Sequence, residues 1–233
     1  LGKKMKKAVV CLSGGLDSST CLAVAQDQGY TCYALSFDYD QKHSVELKAA
    51  KRVADHFKVA MHKAVNLRDI ASLSDSALTN SDKHVPDFTG EEGLPVTYVP
   101  ARNTIFLSIA MGWAESLNAE AIFIGACKED DNNYPDCRPA FIDAFRHLMR
   151  NASDDCSSLQ QCKLITPLMD LDKAETIKLG QILGVDYGLT ISCYRADEQG
   201  RACGDCLSCQ HRKAGFARAN VDDVTVYVDD FVL

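Results

Sequence analysis

The stretch AVVCLSGGLDSSTCLAVAQD, residues 8–27, changes its hydrophobic period at its centre. Ala8, Val9, Val10, Cys11 and Leu12 form a continuous apolar run, the pattern of a strand buried on both faces. Beyond two glycines, Ser18, Cys21, Leu22 and Ala25 fall at i, i+3, i+4 and i+7, one face of a helix. A strand, a glycine turn and a helix start form a recurring anion site. Backbone N–H groups converge there, the helix dipole favours negative charge, and glycine lets a phosphate approach without a Cβ in its way. Ser13, Ser18 and Ser19 add hydroxyl donors. Asp17 is a candidate either for the helix cap or for placing Mg²⁺. The Lys-Ser/Thr pair with which a Walker loop reaches the β- and γ-phosphates is missing. On the glycines alone, a plain strand–helix turn capped by Asp17 or Ser18 is the favoured reading of the stretch.

The same alternation continues along the chain. TCYALSFD (31–38) reads as a second strand, and Leu47, Ala50, Ala54 and Phe57 make a helical stripe before a weaker strand near 59–67. Ile105, Ile109 and Trp113, with Phe106, Ala110 and Leu117, mark a strongly apolar helix, followed by the strand AIFIGA (121–126). Strands alternating with helices predict an α/β fold, a Rossmann-like doubly wound parallel sheet whose ligands bind beyond the carboxyl ends of its strands. Three stretches fall outside the pattern. Residues 74–98 read as a polar lid, 151–163 as a surface loop, and 192–212 as a small module without periodicity.

The 233 residues suffice for one sizeable domain with appendages. A formal charge of −7 disfavours stable binding to a nucleic-acid backbone. No apolar run has the length of a membrane span, and the lysine-rich start has no apolar core of a signal peptide. A soluble, cytoplasmic protein is expected. Eleven cysteines, an odd number with several inside apolar runs, agree with a reducing compartment.

Cys203-x2-Cys206-x2-Cys209, with Cys193 upstream, has the ligand spacing of tetrahedral Zn²⁺. Four thiolates leave the metal no open position, so its role would be structural, worth on the order of 10 kcal/mol in zinc-finger peptides. A redox pair formed by Cys203 and Cys206 is the rival reading. Between 126 and 145, Lys128, Asp130, Asp131, Tyr134, Asp136 and Arg138 crowd a loop beyond a buried strand. Its carboxylates suit the amino and imino edge of a guanine-like base, or Mg²⁺; a solvated loop with a turn at 134–136 is the alternative. Cys127 and Cys137 have no base beside them in sequence and read as packing residues. Arg102 precedes the most apolar helix as a candidate for phosphate or carboxylate, with Asn103 or Thr104 as the cap. Asp172 and Glu175 form a capping pair around Lys173, which is either a solvent-facing first-turn residue or a site cation. His43 follows the second strand and is a candidate for the same crevice.

The string Ser-Gly-Gly-Leu-Asp-Ser at 13–18 resembles the pyrophosphate loop of the N-type ATP pyrophosphatases, or PP-loop enzymes. With FDYDQKH (37–43), VPARNT (99–104), YPDCRPAF (134–141), TPLMDLDKAET (166–176) and the four cysteines, the chain is similar over nearly its whole length to the 7-cyano-7-deazaguanine synthases of the queuosine pathway. Two departures are Asp40, where that family usually has glycine, and Asn132-Asn133, where it has Ser-Gly.

The resemblance implies a PP-loop domain of the adenine nucleotide alpha hydrolase-like type at 5–190 and a four-cysteine zinc-binding module at 191–225 packed on it. It implies an ATP-dependent C–N ligase that converts 7-carboxy-7-deazaguanine and ammonia to the nitrile by two adenylations, with ATP, Mg²⁺ and Zn²⁺ as cofactors. Asp17, Lys173 and Arg102 are then the catalytic candidates, and Leu12, Ser13, Gly14, Gly15, Leu16, Asp17, Ser18, Ser19, Thr20, Cys21 and Leu22 the ATP loop. Asp131, Tyr134, Asp136 and Arg138 are the substrate candidates, and Cys193, Cys203, Cys206 and Cys209 the metal ligands. A homodimer without nucleic-acid or membrane partners is implied as well. A PP-loop tRNA thiolase with persulfide cysteines is the alternative; the net charge and the absence of an appended RNA-binding segment weigh against it.

Overall fold

The computed structural model describes residues 5–39, 45–71, 73–80, 82–88, 94–131, 134–152 and 157–228. Its core is one parallel sheet of five strands: β1 (Lys6–Cys11), β2 (Tyr30–Asp38), β3 (Met61–Asn66), β4 (Ala121–Phe123) and β5 (Lys163–Ile165). The spatial order is β3-β2-β1-β4-β5. After β1 the chain winds outward through β2 and β3, then crosses back to place β4 on the other side of β1. The topological switch therefore lies between β1 and β4, and a ligand crevice is expected beyond their carboxyl ends.

Side chains of β1 alternate between two apolar layers, as the pleat requires. Val9 and Cys11 face α4 (Arg102–Leu117) and α6 (Pro139–Asn151), packing with Leu107, Ala110, Ala114, Ile142, Phe145 and Met149. Ala8, Val10 and Leu12 face α1 (Leu16–Asp27) and α2 (Val45–His56), against Cys21, Leu22, Ala25, Ala50, Val53 and Ala54. Both faces are covered, so β1 reads as a near-continuous apolar run. Helices α7 (Lys173–Ile182) and α8 (Leu207–Ala219) extend the second layer, joining Leu16 and Ala23 through Ile177, Tyr187 and Phe216. Phe123 and Leu107 are fully buried, and truncating either to alanine would cost about 3–5 kcal/mol. Two one-turn helices, α3 (Arg68–Ala71) and α5 (Lys128–Asp131), complete the set.

The doubly wound sheet expected from the sequence is present. Several local expectations are not met. Residues 158–161 of the expected surface loop form a 3-10 turn that buries Leu159 in the core, and the edge strand β5 begins at Lys163. A single leucine among polar residues gives no period, so neither feature shows in the sequence. The 74–98 stretch docks on the cysteine segment: Ala77, Leu78 and Val85 share a buried cluster with Ile191, Cys193, Cys206 and Cys209. Within 192–212, α8 already begins at Leu207. The cap of α1 is Gly15, not Asp17 or Ser18, and that of α4 is Ala101, not Asn103 or Thr104.

Candidate active site

The loop after β1 is shaped by its own short-range bonds. Gly14 takes φ +87°, and a Cβ there would run into the backbone nitrogen of Ala50 on α2, so glycine is required for two independent reasons. Ser13 Oγ lies 3.0 Å from Ser18 Oγ and accepts from Gly15 N–H at 3.3 Å, while Ser18 Oγ accepts from Ser13 N–H at 3.2 Å. Ser18 and Ser19 hydroxyls donate to Gly15 O at 3.1 and 2.8 Å. Across the crevice, Gly125 after β4 approaches so closely that a Cβ on it would stand 3.0 Å from the carbonyl carbon of Asp17.

A cavity of about 230 Å³ opens above this loop, lined by Ser13, Gly15, Asp17, Ser18, Ser36, Phe37, Tyr39, Arg102, Phe106 and Cys137 on the sheet side. Ser192, Tyr194 and Ser208 close it from the cysteine segment. A smaller cavity of about 70 Å³ shares Asp17, Ser192, Tyr194 and Ser208 with it, and adds Leu16, Tyr134, Lys173 and His211. The two volumes meet at Asp17.

Lys173 lines the smaller cavity and is turned away from solvent. Its Nζ donates to both carboxylate oxygens of Asp17, at 2.8 and 2.9 Å, and lies 3.4 Å from the buried Cys127 sulfur. The lysine side chain is only 9 % exposed, so its charge depends on this partner. The capping box read from the sequence is formed: Asp172 accepts from Glu175 N–H, and Glu175 accepts from Asp172 N–H, both at 2.8 Å. It fixes the first turn of α7 and with it the lysine.

Arg102 stands at the other end, its guanidinium 5.8 Å from the ring centre of Tyr134. Burial pushes the nearby Tyr39 phenol up to about 12, with Glu46 adding and Arg102 opposing. Phe37 and Phe106 stack with centroids 3.9 Å apart and planes within 8°. These rings and one guanidinium suit a planar heteroaromatic with a polar edge. Ser36, fully buried at the end of β2, donates to Leu12 O at 2.6 Å and meets His62 Nε2 at 2.8 Å. Burial lowers the His62 pKa, and the Lys51 charge lowers it further.

The other site candidates divide. Leu12, Ser13, Gly15, Asp17 and Ser18 line the larger cavity and Leu16 the smaller, whereas Gly14, Ser19, Thr20, Cys21 and Leu22 line neither. Thr20 Oγ1 instead bonds Leu16 O and Tyr187 Oη, at 3.0 and 2.9 Å. Tyr134 is buried and lines the smaller cavity, its hydroxyl 3.3 Å from those of Thr97 and Tyr194. Asp136 lines neither cavity: its Oδ2 accepts from Asn103 N–H at 2.9 Å and its carbonyl from Asn103 Nδ2 at 3.0 Å. It caps α4, whose own N-cap, Ala101, has no side-chain acceptor. Arg138 is exposed where α6 starts. The side chains of Asp130 and Asp131, together with Asp40, His43, Asn132 and Asn133, lie outside the described residues. Cys127 and Cys137 are buried, as packing residues are. Sequence reasoning misses Ser36, Tyr39, Phe106, Ser192, Tyr194, Ser208 and His211. For Ser192, Tyr194 and Ser208 a signal exists, their adjacency to the candidate ligands Cys193 and Cys209.

The sulfurs of Cys193, Cys203, Cys206 and Cys209 all lie within 4.8 Å of one another. Cys203 to Cys209 measures 3.9 Å and Cys206 to Cys193 4.0 Å. A tetrahedral zinc with bonds near 2.3 Å sets sulfur–sulfur edges of about 3.8 Å, so the set fits that metal. Backbone N–H groups of Arg195 and Cys203 both point at Cys193 Sγ, at 3.2 Å, as donors around a thiolate do. Among these crowded sulfurs, mutual hydrogen bonds lower the Cys206 thiol and raise those of Cys193 and Cys209, and a metal would bind by displacing their protons.

The family model described as queuosine biosynthesis protein QueC matches residues 7–220. The chain belongs to the QueC family. A Coxiella burnetii (strain RSA 331) relative is 57% identical over 96% of this chain and 99% of its own length. Relatives from Saccharophagus degradans and Legionella pneumophila (strain Philadelphia 1) are each 56% identical over 96% of this chain, and over 99% and 97% of their own. All three are named 7-cyano-7-deazaguanine synthase. This QueC-family chain is accordingly an enzyme of the synthase type. A solved NMN synthetase from Francisella tularensis shares the fold, with a TM-score of 0.51 and 15% identity over 94% of this chain and 79% of that one. Among the described residues no helix is long and apolar enough to cross a membrane.

Proposed function

We propose that the chain makes 7-cyano-7-deazaguanine from 7-carboxy-7-deazaguanine, ammonia and two ATP. The observation that carries this reading is full-length kinship with synthases of that name, joined to a cavity in which an anion loop and an aromatic slot face each other. A carboxylate is a poor electrophile. Transfer of AMP from ATP to one carboxylate oxygen, with pyrophosphate leaving, makes that oxygen a leaving group. Ammonia adds to the carbonyl carbon, AMP departs and a proton is lost, giving the amide. A second AMP transfer, to the amide oxygen, releases pyrophosphate and one N–H proton; loss of AMP with the remaining N–H proton then gives the nitrile.

In this reading Ser13, Gly15 and Ser18 hold the departing β,γ-phosphates. Lys173, anchored by Asp17, offsets charge developing at the α-phosphate. Arg102 and the rings of Tyr39, Phe106 and Tyr134 orient the deazapurine, with Asp131 and Arg138 as further contacts. Asp136 serves the site at one remove, by capping the helix that begins at Arg102. Mg²⁺ would travel with the phosphates and offset their charge. Asp17 is the described carboxylate at the loop, and a metal there has to share it with Lys173. Zn²⁺ would occupy the four sulfurs and shape the wall carrying Ser192, Tyr194 and Ser208. The same reading includes a cytoplasmic homodimer that acts on small molecules and not on nucleic acid.

The test is incubation with ATP, Mg²⁺, ammonium and the carboxy-deazaguanine, followed by mass analysis. Nitrile and two AMP per nitrile are expected, and Asp17→Ala should lower AMP release at least a hundredfold while the fold survives. No nitrile, or AMP release independent of the deazapurine, refutes the assignment.

A further inference from the structure

Ser192 lies far from the anion loop in sequence and immediately before the cysteine Cys193, yet it completes the loop's hydrogen bonding. Leu16 opens α1, so its N–H is among the donors for which a helix has no partner of its own. The N-cap is Gly15, which has no side chain to serve it. Ser192 Oγ accepts from that N–H at 3.3 Å, across 176 residues of chain. Its neighbour Ile191 donates its N–H to Gly14 O at 2.9 Å. Ser192 also lines both cavities that meet at Asp17. The next residue is fixed by sulfur: Cys193 Sγ takes two backbone N–H bonds and sits 4.0 Å from Cys206 Sγ.

We propose that Ser192 is a positioning residue of the anion loop, through which a metal on the four cysteines and a polyphosphate on residues 13–18 strengthen one another's binding. A hydroxyl both donates and accepts. Without an anion it caps Leu16. When a phosphate oxygen takes the Leu16 N–H, the Ser192 hydroxyl turns its own proton towards the same oxygen. Its aim depends on Cys193, and so on the sulfur cluster. Binding free energies coupled in this way are reciprocal, so each ligand must hold the other. The inference rests on the loop being the ATP phosphate site.

The experiment uses the full-length, zinc-replete chain with Ser192→Ala, Ser192→Thr and, as control, Ser13→Ala. Calorimetric titration with Mg-ATP should show affinity fivefold to tenfold weaker in Ser192→Ala and within about twofold of the parent in Ser192→Thr. Zinc content should be unchanged in both. Saturating ATP should slow zinc release to a chelator at least threefold in the parent and leave Ser192→Ala unaffected. Parent-like ATP affinity in Ser192→Ala, equal slowing of zinc release in both, or loss of zinc from Ser192→Ala overturns the proposal. If Ser13→Ala also leaves ATP affinity unchanged, the loop is not the nucleotide site and the functional reading falls as well. A weakened Ser13→Ala beside a normal Ser192→Ala removes only the coupling.

Discussion

The anion loop at 13–18 and the cysteine segment at 193–209 share one wall of the crevice but keep their shapes by different means. The loop closes its hydroxyl and amide bonds among near neighbours, between Ser13, Gly15 and Ser18, and rests on a strand and helix buried without reference to any ligand. The cysteine segment collects sulfurs from a polar stretch. Its apolar contacts, made through Ile191, Ala196 and Ala202, are borrowed from α2 and the 74–98 region. Order in the first is mostly local, with Ile191 and Ser192 adding two bonds from afar; order in the second would depend on a metal that the four sulfurs could hold.

The widest gap between them should appear when a ligand sulfur is removed. Cys206→Ser is expected to lose zinc and several kcal/mol, a fall in Tm of about 10 °C. Hydrogen exchange should rise across 191–206 and stay low in β1 and α1. Uniform loosening would show that the two regions fold as one unit.

A smaller effect tests the loop's own anchor. Lys173→Met leaves the Asp17 carboxylate without its cation and should cost about 2 kcal/mol, less than a fully buried pair because solvent reaches Asp17. Adding Asp17→Asn should recover part of that loss, a coupling of about 1 kcal/mol in urea unfolding. Strict additivity would mean that the pair contributes nothing to stability.

The smallest expected effect is a pH dependence on the loop side. The folded pKa of His62 is depressed below its ordinary 6.5, so the unfolded chain binds more protons as acid is added. Its contribution is present above pH 6.5 and is lost as pH falls through the lower folded value. The loss should be under about 1 kcal/mol, since the ring is partly solvated, and should vanish in His62→Gln. An unchanged acid slope in that variant would exclude His62 as the source.

Legibility in the sequence follows the distance between partners. β1, its glycine turn and α1 announce themselves because cause and effect lie within one stretch. The Asp172–Glu175 box and the cysteine spacing are legible for the same reason. Lys173 stays ambiguous between surface and site because its partner, Asp17, is 156 residues away. Asp136 carries a carboxylate in a loop where a ligand belongs, and nothing local reveals that it faces Asn103. Ser192, Tyr194, Ser208 and His211 enter the site only when the cysteine segment folds back over α1. The strand β5 is three residues long, too short for a period.

The carboxylate that caps α4 from the turn after β4 has a consequence for how such chains can diverge. Asp136 reaches the first turn of α4 across 33 residues, so the intervening path works as a brace of fixed length. Gly125, Cys127 and Tyr134 are held to their identities by close packing along it, and an insertion or deletion between Phe123 and Asp136 is expected to withdraw the cap and shift Arg102 from the cavity. Lineages of this fold should therefore conserve the residue count of that loop.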